Sequence, residues 1–318
     1  MIGNRNKCLF CREVLDDERE FHPHCSRTFF GTSIPPTLDY SLDEMDKLAS
    51  QVIRTQVALP GVQAKISLDL EKSHGPGKTG RLTLVGLWGR FILKPPTQQY
   101  PALPEVEDAT MHLAEAVGIR CVPHAMIRLK SGELAYITRR IDRGGKAKIP
   151  MEDLCQLTGR LTEDKYKGSL EQVGKTIRQY STQPGLDAVN FFDLTLFCFL
   201  TGNADMHLKN FSLWRPSEEE IVLSPAYDLI ATKLLLPQDS EETALALNGK
   251  KKNLRKKDFD ALAARLELPE KTRENAYLQA AKAMGKLPEA LKKSFLSNAT
   301  KKDYLELFES RYAILELK

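Results

Sequence analysis

A strongly apolar segment that runs directly into a dense polar one constrains this chain more than any other feature. Residues 190–200 have the periodicity of a buried helix, and residues 202–212 that follow read GNADMHLKNFS. A chain of 318 residues can bury such a helix in a fold of two lobes. Polar groups at the end of a packed helix face the edge of a rigid scaffold, which is typical of a functional site.

The remaining patterns divide the chain into a β-rich first half and an α-rich second half. Short alternating runs with Gly turns predict strands over 65–70, 81–85, 90–94, 125–129 and 134–139, the first three as an antiparallel meander. Capping and periodicity predict helices over 41–54, 105–117, 259–266, 273–284 and 303–315. We therefore expect an α+β fold with a β-rich lobe over 40–142, a helical lobe over 143–318 and a short module over 1–33.

Composition and charge exclude several classes of protein. Lys and Arg number 46 against 42 Asp and Glu, and a net charge of +4 does not by itself predict a nucleic-acid binder. The longest apolar run, near 191–200, contains Asp193 and is too short to cross a bilayer. Because no apolar signal core is found near the N-terminus, we expect a cytoplasmic protein without a membrane partner.

Two residues of the polar segment have the spacing of a kinase catalytic loop. Asp205 and Asn210 are separated by four residues; in such loops the Asp accepts the proton of the substrate hydroxyl and the Asn holds Mg²⁺. Asp228 follows about one hairpin later, where a kinase carries a second metal-binding Asp. The spacing alone is also consistent with a capping loop between two helices.

Upstream segments occur in the order that a nucleotide-binding lobe requires. The loop 60–65 could lay backbone N–H groups over phosphates, although its single Gly is equally typical of an ordinary hairpin. Lys94 ends a strand from which it could reach the phosphates, and Glu107 on the next helix could pair with it. A lone strand Lys is also common at an exposed edge. Residues 137–141 could form a hinge whose backbone binds adenine.

The polar segment 202–212, together with 224–229, resembles the signature of the HipA-type serine/threonine kinases, the toxins of HipA/HipB toxin–antitoxin systems. Other segments that match this family, in its order, are 61–65, 91–94, the Glu107 helix, 140–143, 152–159, 165–169 and 249–259. The resemblance covers roughly residues 55–318 and implies a bilobal, protein-kinase-like fold. In length the chain resembles the short HipT-type branch of the family.

The resemblance implies a role for each matching residue. Asp205 is the catalytic base, and His207 and Lys209 lie beside the phosphates, Lys209 as part of the catalytic set. Asn210 and Asp228 bind Mg²⁺. The residues that bind ATP are Lys94, positioned by Glu107; the phosphate loop Pro60, Gly61, Val62, Gln63, Ala64 and Lys65; Arg139, Arg140 and Ile141 of the adenine hinge; and Tyr227.

The resemblance also implies a substrate and partners. The family transfers the γ-phosphoryl group of ATP to protein serines, and its known targets are aminoacyl-tRNA synthetases, whose inhibition stops translation. A HipB-like antitoxin would be a partner, with DNA contact only within that complex. A separate HipS-like small subunit could supply the N-terminal subdomain that the short branch lacks.

One departure from the family concerns the serines that precede the phosphate loop. In the family, their autophosphorylation ejects the loop and switches the kinase off. Here the corresponding residues are Ala58, Leu59 and Pro60, and none carries a hydroxyl. We therefore do not expect this mode of regulation.

A second departure is a cluster of metal-ligating residues near the N-terminus. Cys8 and Cys11 are two residues apart, and so are His22 and Cys25. Such pairs can form one tetrahedral Cys3His zinc site, for which His24 is an alternative ligand. A structural zinc would supply folding energy that this segment cannot gain from apolar burial. The alternative is an unstructured reduced tail.

The sequence also contains a basic segment, and it is compatible with two functions other than that of a kinase. Residues 250–257 carry six Lys or Arg, which could form a solvated turn or contact DNA phosphates in an antitoxin complex. One rival to the kinase is a nucleotide-binding pseudokinase, against which the intact Asp205, Asn210 and Asp228 argue. The other is a DNA-binding regulatory subunit, against which the low net charge argues.

Overall fold

The computed structural model describes residues 7–45, 47–48, 65–71, 79–86, 88–144 and 147–317, and every structural statement below concerns these residues. They fall into two compact units. The first comprises residues 1–109, 122–140 and 293–296, and the second comprises residues 110–121, 141–292 and 297–318. The predicted boundary near residue 142 lies close to this division, while the first 33 residues fall within the first unit.

An antiparallel sheet forms the centre of the first unit. Its strands are β1 (Ile66–Glu71), β2 (Arg81–Leu84), β3 (Phe91–Lys94), β4 (His124–Arg128) and β5 (Leu134–Arg139), in the order β2-β1-β3-β5-β4. Each predicted strand exists, but the predicted meander of the first three is wrong. Strand β1 lies between β2 and β3, with Leu68 opposite both Leu84 and Phe91.

The loop from β2 to β3 explains this order. It passes so close to β1 that a Cβ at Gly89 would lie 2.5 Å from the Leu68 carbonyl oxygen. Only glycine permits such an approach. The alternation of side chains identifies strands but carries no information on which strands become neighbours, so the sequence pattern does not distinguish a meander from the observed order.

Three of the described helices begin in the first unit. Helix α1 (Pro23–Phe30) belongs to the N-terminal module and ends at Gly31, which has a left-handed φ of 82°. Helix α2 (Leu103–Ala116) follows β3. The helix predicted from Ser41 begins at residue 42, where Ser41 and Glu44 form the expected capping box. Its predicted continuation to residue 54 lies outside the described residues.

The N-terminal module packs on the sheet of the first unit. The Met126 amide on edge strand β4 donates a hydrogen bond of 2.8 Å to the Leu9 carbonyl oxygen. On α1, Phe29 and Phe30 contact Phe91 of β3, with ring centroids 5.7 and 5.8 Å apart respectively. The module therefore shares the core of the first unit.

Helices dominate the second unit. They are α3 (Leu154–Leu157), α4 (Leu170–Tyr180), α5 (Pro184–Leu200), α6 (Thr232–Leu235), α7 (Lys256–Arg265), α8 (Glu270–Lys293) and α9 (Asn298–Ile314). Short strands form two small sheets, β6 (Arg143–Gly144) with β7 (Ala147–Lys148), and β10 (Val222–Leu223), β9 (Ser212–Trp214) and β8 (Met151–Asp153) in that order. Strands of two or three residues are too short to show alternation, and the sequence did not predict them.

Helix α5 fixes the position of the polar segment. It begins at Pro184, earlier than predicted. A Pro is tolerated in the first turn because no helical hydrogen bond is lost there. Most of its second half is buried, with Phe199 against Phe259 of α7. Gly202 then turns the chain with a φ of 65°. The predicted α+β class is confirmed, and none of the described helices has the length and apolar run needed to cross a bilayer.

Candidate active site

The first unit contributes a buried ion pair between a strand and a helix. Lys94 at the end of β3 donates to Glu107 Oε1 of α2 at 2.5 Å. The exposed fractions of the two side chains are 2% and 0%. The Lys94 ammonium also lies 5.3 Å from the centre of the Tyr136 ring, which stands opposite Lys94 on β5. The structure thus brings together the two residues that the sequence paired.

The predicted adenine hinge begins at Arg139, the last residue of strand β5. The amide of Arg139 donates to the Pro123 carbonyl and that of Arg140 to the Arg90 carbonyl, both at 2.8 Å. These two amides are therefore already used within the first unit. Ile141 begins the next segment of the second unit. Of the predicted phosphate loop, Lys65 is exposed, and residues 60–64 lie outside the described residues.

The second unit contributes the loop that carries Asp205 and Asn210. The Asn210 side chain donates to the Asp205 carbonyl oxygen at 2.9 Å, and the Asp205 amide donates to Asn203 Oδ1 at 3.1 Å. The backbone amide of His207 also donates to the Asp205 carbonyl. These bonds fold the loop into one rigid turn, which presents the half-buried Asp205 carboxylate.

The other predicted residues of this loop have defined partners. Lys209 donates to Asp153 Oδ2 at 2.6 Å, so its ammonium is held at the start of α3. The Tyr227 hydroxyl donates to the Lys209 carbonyl at 2.9 Å and accepts from Ser212 at 2.6 Å. Tyr227 therefore links the backbone of this loop at Lys209 to the Ser212 side chain.

Asp228 has an unusual backbone conformation. Its φ is 56°, in the left-handed region that residues other than Gly rarely adopt. Such conformations cost free energy and cluster at functional sites. The strain at Asp228 therefore makes this residue a candidate for a functional role independently of its spacing.

Tyr166 is a site residue that the sequence did not reveal. Its hydroxyl donates to Asp205 Oδ1 at 2.8 Å, and its ring lies edge-on to His207 with centroids 5.1 Å apart. Burial, and then the Asp205 carboxylate, raise the pKa of Tyr166, so the phenol stays protonated and can donate. The two residues are far apart in sequence, and only the fold brings them together.

If Asp205 is the catalytic base that its spacing predicts, Tyr166→Phe should lower kcat by about tenfold, because Asp205 loses a charge-assisted hydrogen bond that orients its carboxylate. The KM for the nucleotide that the sequence predicts should stay unchanged. Steady-state kinetics measure both, and Tyr180→Phe, at an exposed tyrosine of α4, is the control. An unchanged kcat in Tyr166→Phe would remove Tyr166 from the site.

The four predicted zinc ligands form a compact cluster. The ligand atoms of Cys8, Cys11, His22 and Cys25 all lie within 4.8 Å of one another. His22 Nδ1 is 3.4 Å from Cys11 Sγ and 3.8 Å from Cys25 Sγ. A tetrahedral zinc with ordinary bond lengths requires sulfur and nitrogen about 3.6 Å apart. The donor set and its spacing therefore fit a structural zinc.

Two further features of this cluster are the position of His24 and the ionisation of Cys8. His24 Nε2 lies 3.2 Å from Cys25 Sγ, beside the cluster rather than within it. Burial disfavours ionisation of Cys8, but hydrogen bonds from three backbone groups outweigh burial and lower its pKa. Backbone amides directed at a sulfur stabilise the thiolate form that a metal binds.

Three of the six basic residues of this segment form ion pairs within the second unit. Lys250 pairs with the buried Asp258 at 2.8 Å, and Lys256 pairs with Asp260 at 3.0 Å. Lys251 lies 3.5 Å from Glu241. These pairs favour the interpretation as a solvated turn, since they neutralise half of the charge that could contact DNA phosphates.

A cavity of about 580 Å³ lies in the second unit, between α5, α8 and the residues after α2. Asp193 lines it, and its Oδ1 has no hydrogen-bond partner among the described residues. Burial raises the pKa of Asp193 to about 6. In the unfolded chain the value is about 3.9. The folded state therefore binds more protons between these two pH values, and stability falls as pH rises from about 4 to 6.

Asp193→Asn should remove this loss of folding stability at higher pH. We expect the variant to be more stable than the wild type at pH 8, on the order of 1–2 kcal/mol, and to show little difference at pH 4. Urea denaturation at both pH values measures the effect. The exposed Asp303→Asn on α9 is the control, and an equal effect of Asp193→Asn at both pH values would contradict the prediction.

A protein-family model described as the HipA-like C-terminal domain matches residues 57–288. Y4dM of Sinorhizobium fredii, named as a candidate kinase, is 33% identical over 257 residues, which cover 76% of this chain and 60% of Y4dM. A candidate kinase of Haemophilus influenzae is 29% identical over 226 residues, covering 67% of this chain and 63% of the relative. The chain thus spans less than two thirds of the length of these relatives.

Two solved structures resemble the fold. A chain of the Shewanella oneidensis complex of HipA, HipB and operator DNA has a TM-score of 0.65 and 19% identity, covering 82% of this chain and 67% of that one. The Helicobacter pylori proinflammatory kinase CtkA has a TM-score of 0.55 and 17% identity, covering 79% and 94% respectively. At these identities the similarity establishes the fold, and it confirms the prediction of a kinase-like architecture.

Proposed function

Because the chain belongs to the family of HipA-like C-terminal domains, we propose that it is an ATP-dependent serine/threonine protein kinase. The buried pair of Lys94 and Glu107 is the observation that carries this proposal. Burying an ion pair gains little stability over apolar residues of the same volume. A Lys on a strand held by a helix Glu is, however, what kinases use to bind nucleotide phosphates.

The other residues of the site have roles consistent with phosphoryl transfer. Lys94 binds the phosphates, and Glu107 holds its ammonium in place. Asp205 orients the substrate hydroxyl and accepts its proton, and the rigid loop keeps this carboxylate in one position. Asn210 and Asp228 would hold Mg²⁺, which when bound neutralises charge on the transferred group. Lys209, which the resemblance assigns to the catalytic set, holds the loop in place through its contact with Asp153.

The substrate and partners are part of the same proposal. The family resemblance supports a protein serine as acceptor and an aminoacyl-tRNA synthetase as target, with arrest of translation as the result. The similarity to a chain from a complex with HipB and operator DNA supports a HipB-like antitoxin as partner. A HipS-like small subunit and a cytoplasmic location complete the proposal. The zinc cluster is proposed as a structural site of the first unit.

Transfer of labelled γ-phosphate into a cell lysate tests the proposed function. We expect the wild-type protein to label one band near the size of an aminoacyl-tRNA synthetase, which mass spectrometry then identifies. Asp228→Asn should label none. Binding of ATP without a difference in labelling between the two proteins would instead favour the alternative, a nucleotide-binding pseudokinase or regulatory subunit.

We expect no switch-off by loop phosphorylation. Residues 58–60 carry no hydroxyl, and the Ser67 hydroxyl oxygen is buried within β1. After incubation with Mg-ATP, peptide mapping should find no phosphate in residues 55–70. A phosphopeptide there, for example at Thr55, would show that this regulation survives in an altered form.

A further inference from the structure

The turn that holds two of the zinc ligands also holds a buried arginine. Arg12 directly follows Cys11, and its amide donates to the Cys8 carbonyl at 2.8 Å. Its φ is 62°, in the left-handed region. Closing the turn between Cys8 and Cys11 with a metal offsets the cost of this conformation. The direction of the Arg12 side chain therefore depends on the turn that the zinc closes.

Arg12 pairs with the helix that carries Glu107. Its Nη1 lies 3.9 Å from Asp108 Oδ2, and the exposed fractions of the two side chains are 5% and 0%. Asp108 immediately follows Glu107 on α2. Consecutive helical residues point about 100° apart, so the helix directs Glu107 at Lys94 and Asp108 at the module. A buried carboxylate is destabilised when a neighbouring cation is removed. Because Asp108 also lies within 4.8 Å of ligand atoms of His112 and His124, Arg12 is one of several groups that constrain where this part of α2 can lie.

The other two ligands belong to an element that contacts the strand of Lys94. His22 precedes helix α1, and Cys25 lies within it. Phe29 and Phe30 of this helix pack on Phe91 of β3, the strand that ends at Lys94. One zinc ion would thus join a turn that holds α2 to a helix that packs on β3.

We propose that the zinc module is a clamp that sets the position of helix α2 relative to strand β3, with Arg12 as its positioning residue. Binding of nucleotide by the Lys94–Glu107 pair then depends on zinc at a site that does not touch the nucleotide. The effect on nucleotide binding rests on the proposed kinase function. The effect on helix α2 does not.

Two measurements on the full chain test the clamp. One is the dissociation constant of a non-hydrolysable ATP analogue with Mg²⁺, and the other is hydrogen exchange of the amides of residues 103–116. We expect Arg12→Met to keep about one zinc per chain. The variant should raise the dissociation constant of the analogue by at least about fivefold and accelerate hydrogen exchange in α2. Arg12→Lys, which keeps the charge, should retain most of the affinity.

The control removes a charge from an exposed contact of the same module. Arg128 of β4 pairs with Glu20 at 2.5 Å, both more than a third exposed, so Arg128→Met should leave affinity and exchange unchanged. A purely structural role for Arg12 would lower the melting temperature and leave the affinity of the folded protein intact. Wild-type affinity and exchange in Arg12→Met would overturn the proposal.

Zinc removal covers the case in which Arg12→Met does not fold. Chelation of the wild-type protein at low temperature should accelerate exchange in residues 103–116 before the amides of α9 are affected. Unchanged exchange in α2 after loss of zinc would contradict the clamp. Zinc-dependent exchange without any phosphoryl transfer would instead contradict the proposed kinase and leave the clamp standing.

Discussion

We expect Asp205→Asn to lower kcat for the proposed phosphoryl transfer by about 10²–10⁴-fold, the range expected for loss of a general base. The amide keeps the shape of the carboxylate and can accept the Tyr166 hydrogen bond, but it does not take a proton from a substrate hydroxyl. The dissociation constant of Mg-ATP should stay within about threefold, because the interaction is made in the transition state.

Single-turnover kinetics and calorimetry separate these two effects. Asp303→Asn, at an exposed carboxylate on α9, is the matched control and should keep wild-type rates. If Asp205→Asn retains more than about a tenth of the wild-type kcat, Asp205 is not the base. An equal loss of nucleotide binding would show that Asp205 acts in binding instead.

Removing Cys25, a ligand of the proposed zinc site, should have the second large effect. Cys25→Ser should lose the metal and lower the melting temperature by more than about 10 °C, because a structural zinc contributes several kcal/mol to folding. The loss is large because the module shares the core of the first unit. Its buried residues include Leu9, Phe29 and Phe30.

Metal analysis and scanning calorimetry measure this effect. Cys121→Ser is the control, since Cys121 is a half-buried thiol outside the cluster. It should keep about one zinc per chain and a melting temperature close to that of the wild type. A Cys25→Ser protein that retains zinc and stability would show that His24 or another residue replaces Cys25 as ligand.

Much of the fold could be predicted because its signals are local. Alternation identified the strands of the first unit, and the apolar periodicity of α5 identified its central helix. The neighbours of β1 could not be predicted, since they depend on how closely the loop at Gly89 passes the strand. The three-stranded sheet of the second unit was not predicted, because its strands are too short to show an alternation of apolar and polar residues.

The residues of the site likewise fall into those that the sequence identified and those that it did not. Residues whose spacing is short or fixed by one element were identified together, such as Asp205 with Asn210 and the four cluster ligands. Tyr166 and Arg12 were missed because their partners, Asp205 and Asp108, are distant in sequence. A lone Tyr or Arg in a polar stretch resembles many exposed ones, and only tertiary packing distinguishes it.

The hydrogen bond between Leu9 and Met126 has a consequence for solubility. Strand β4 is one of the two edge strands of the sheet, and an uncovered edge offers its backbone groups to strands of other molecules. The module occupies this edge at Met126 and also packs on Phe91 of β3. A fragment that begins at residue 34 would present both surfaces at once, and we expect it to self-associate during expression even where its helical unit folds.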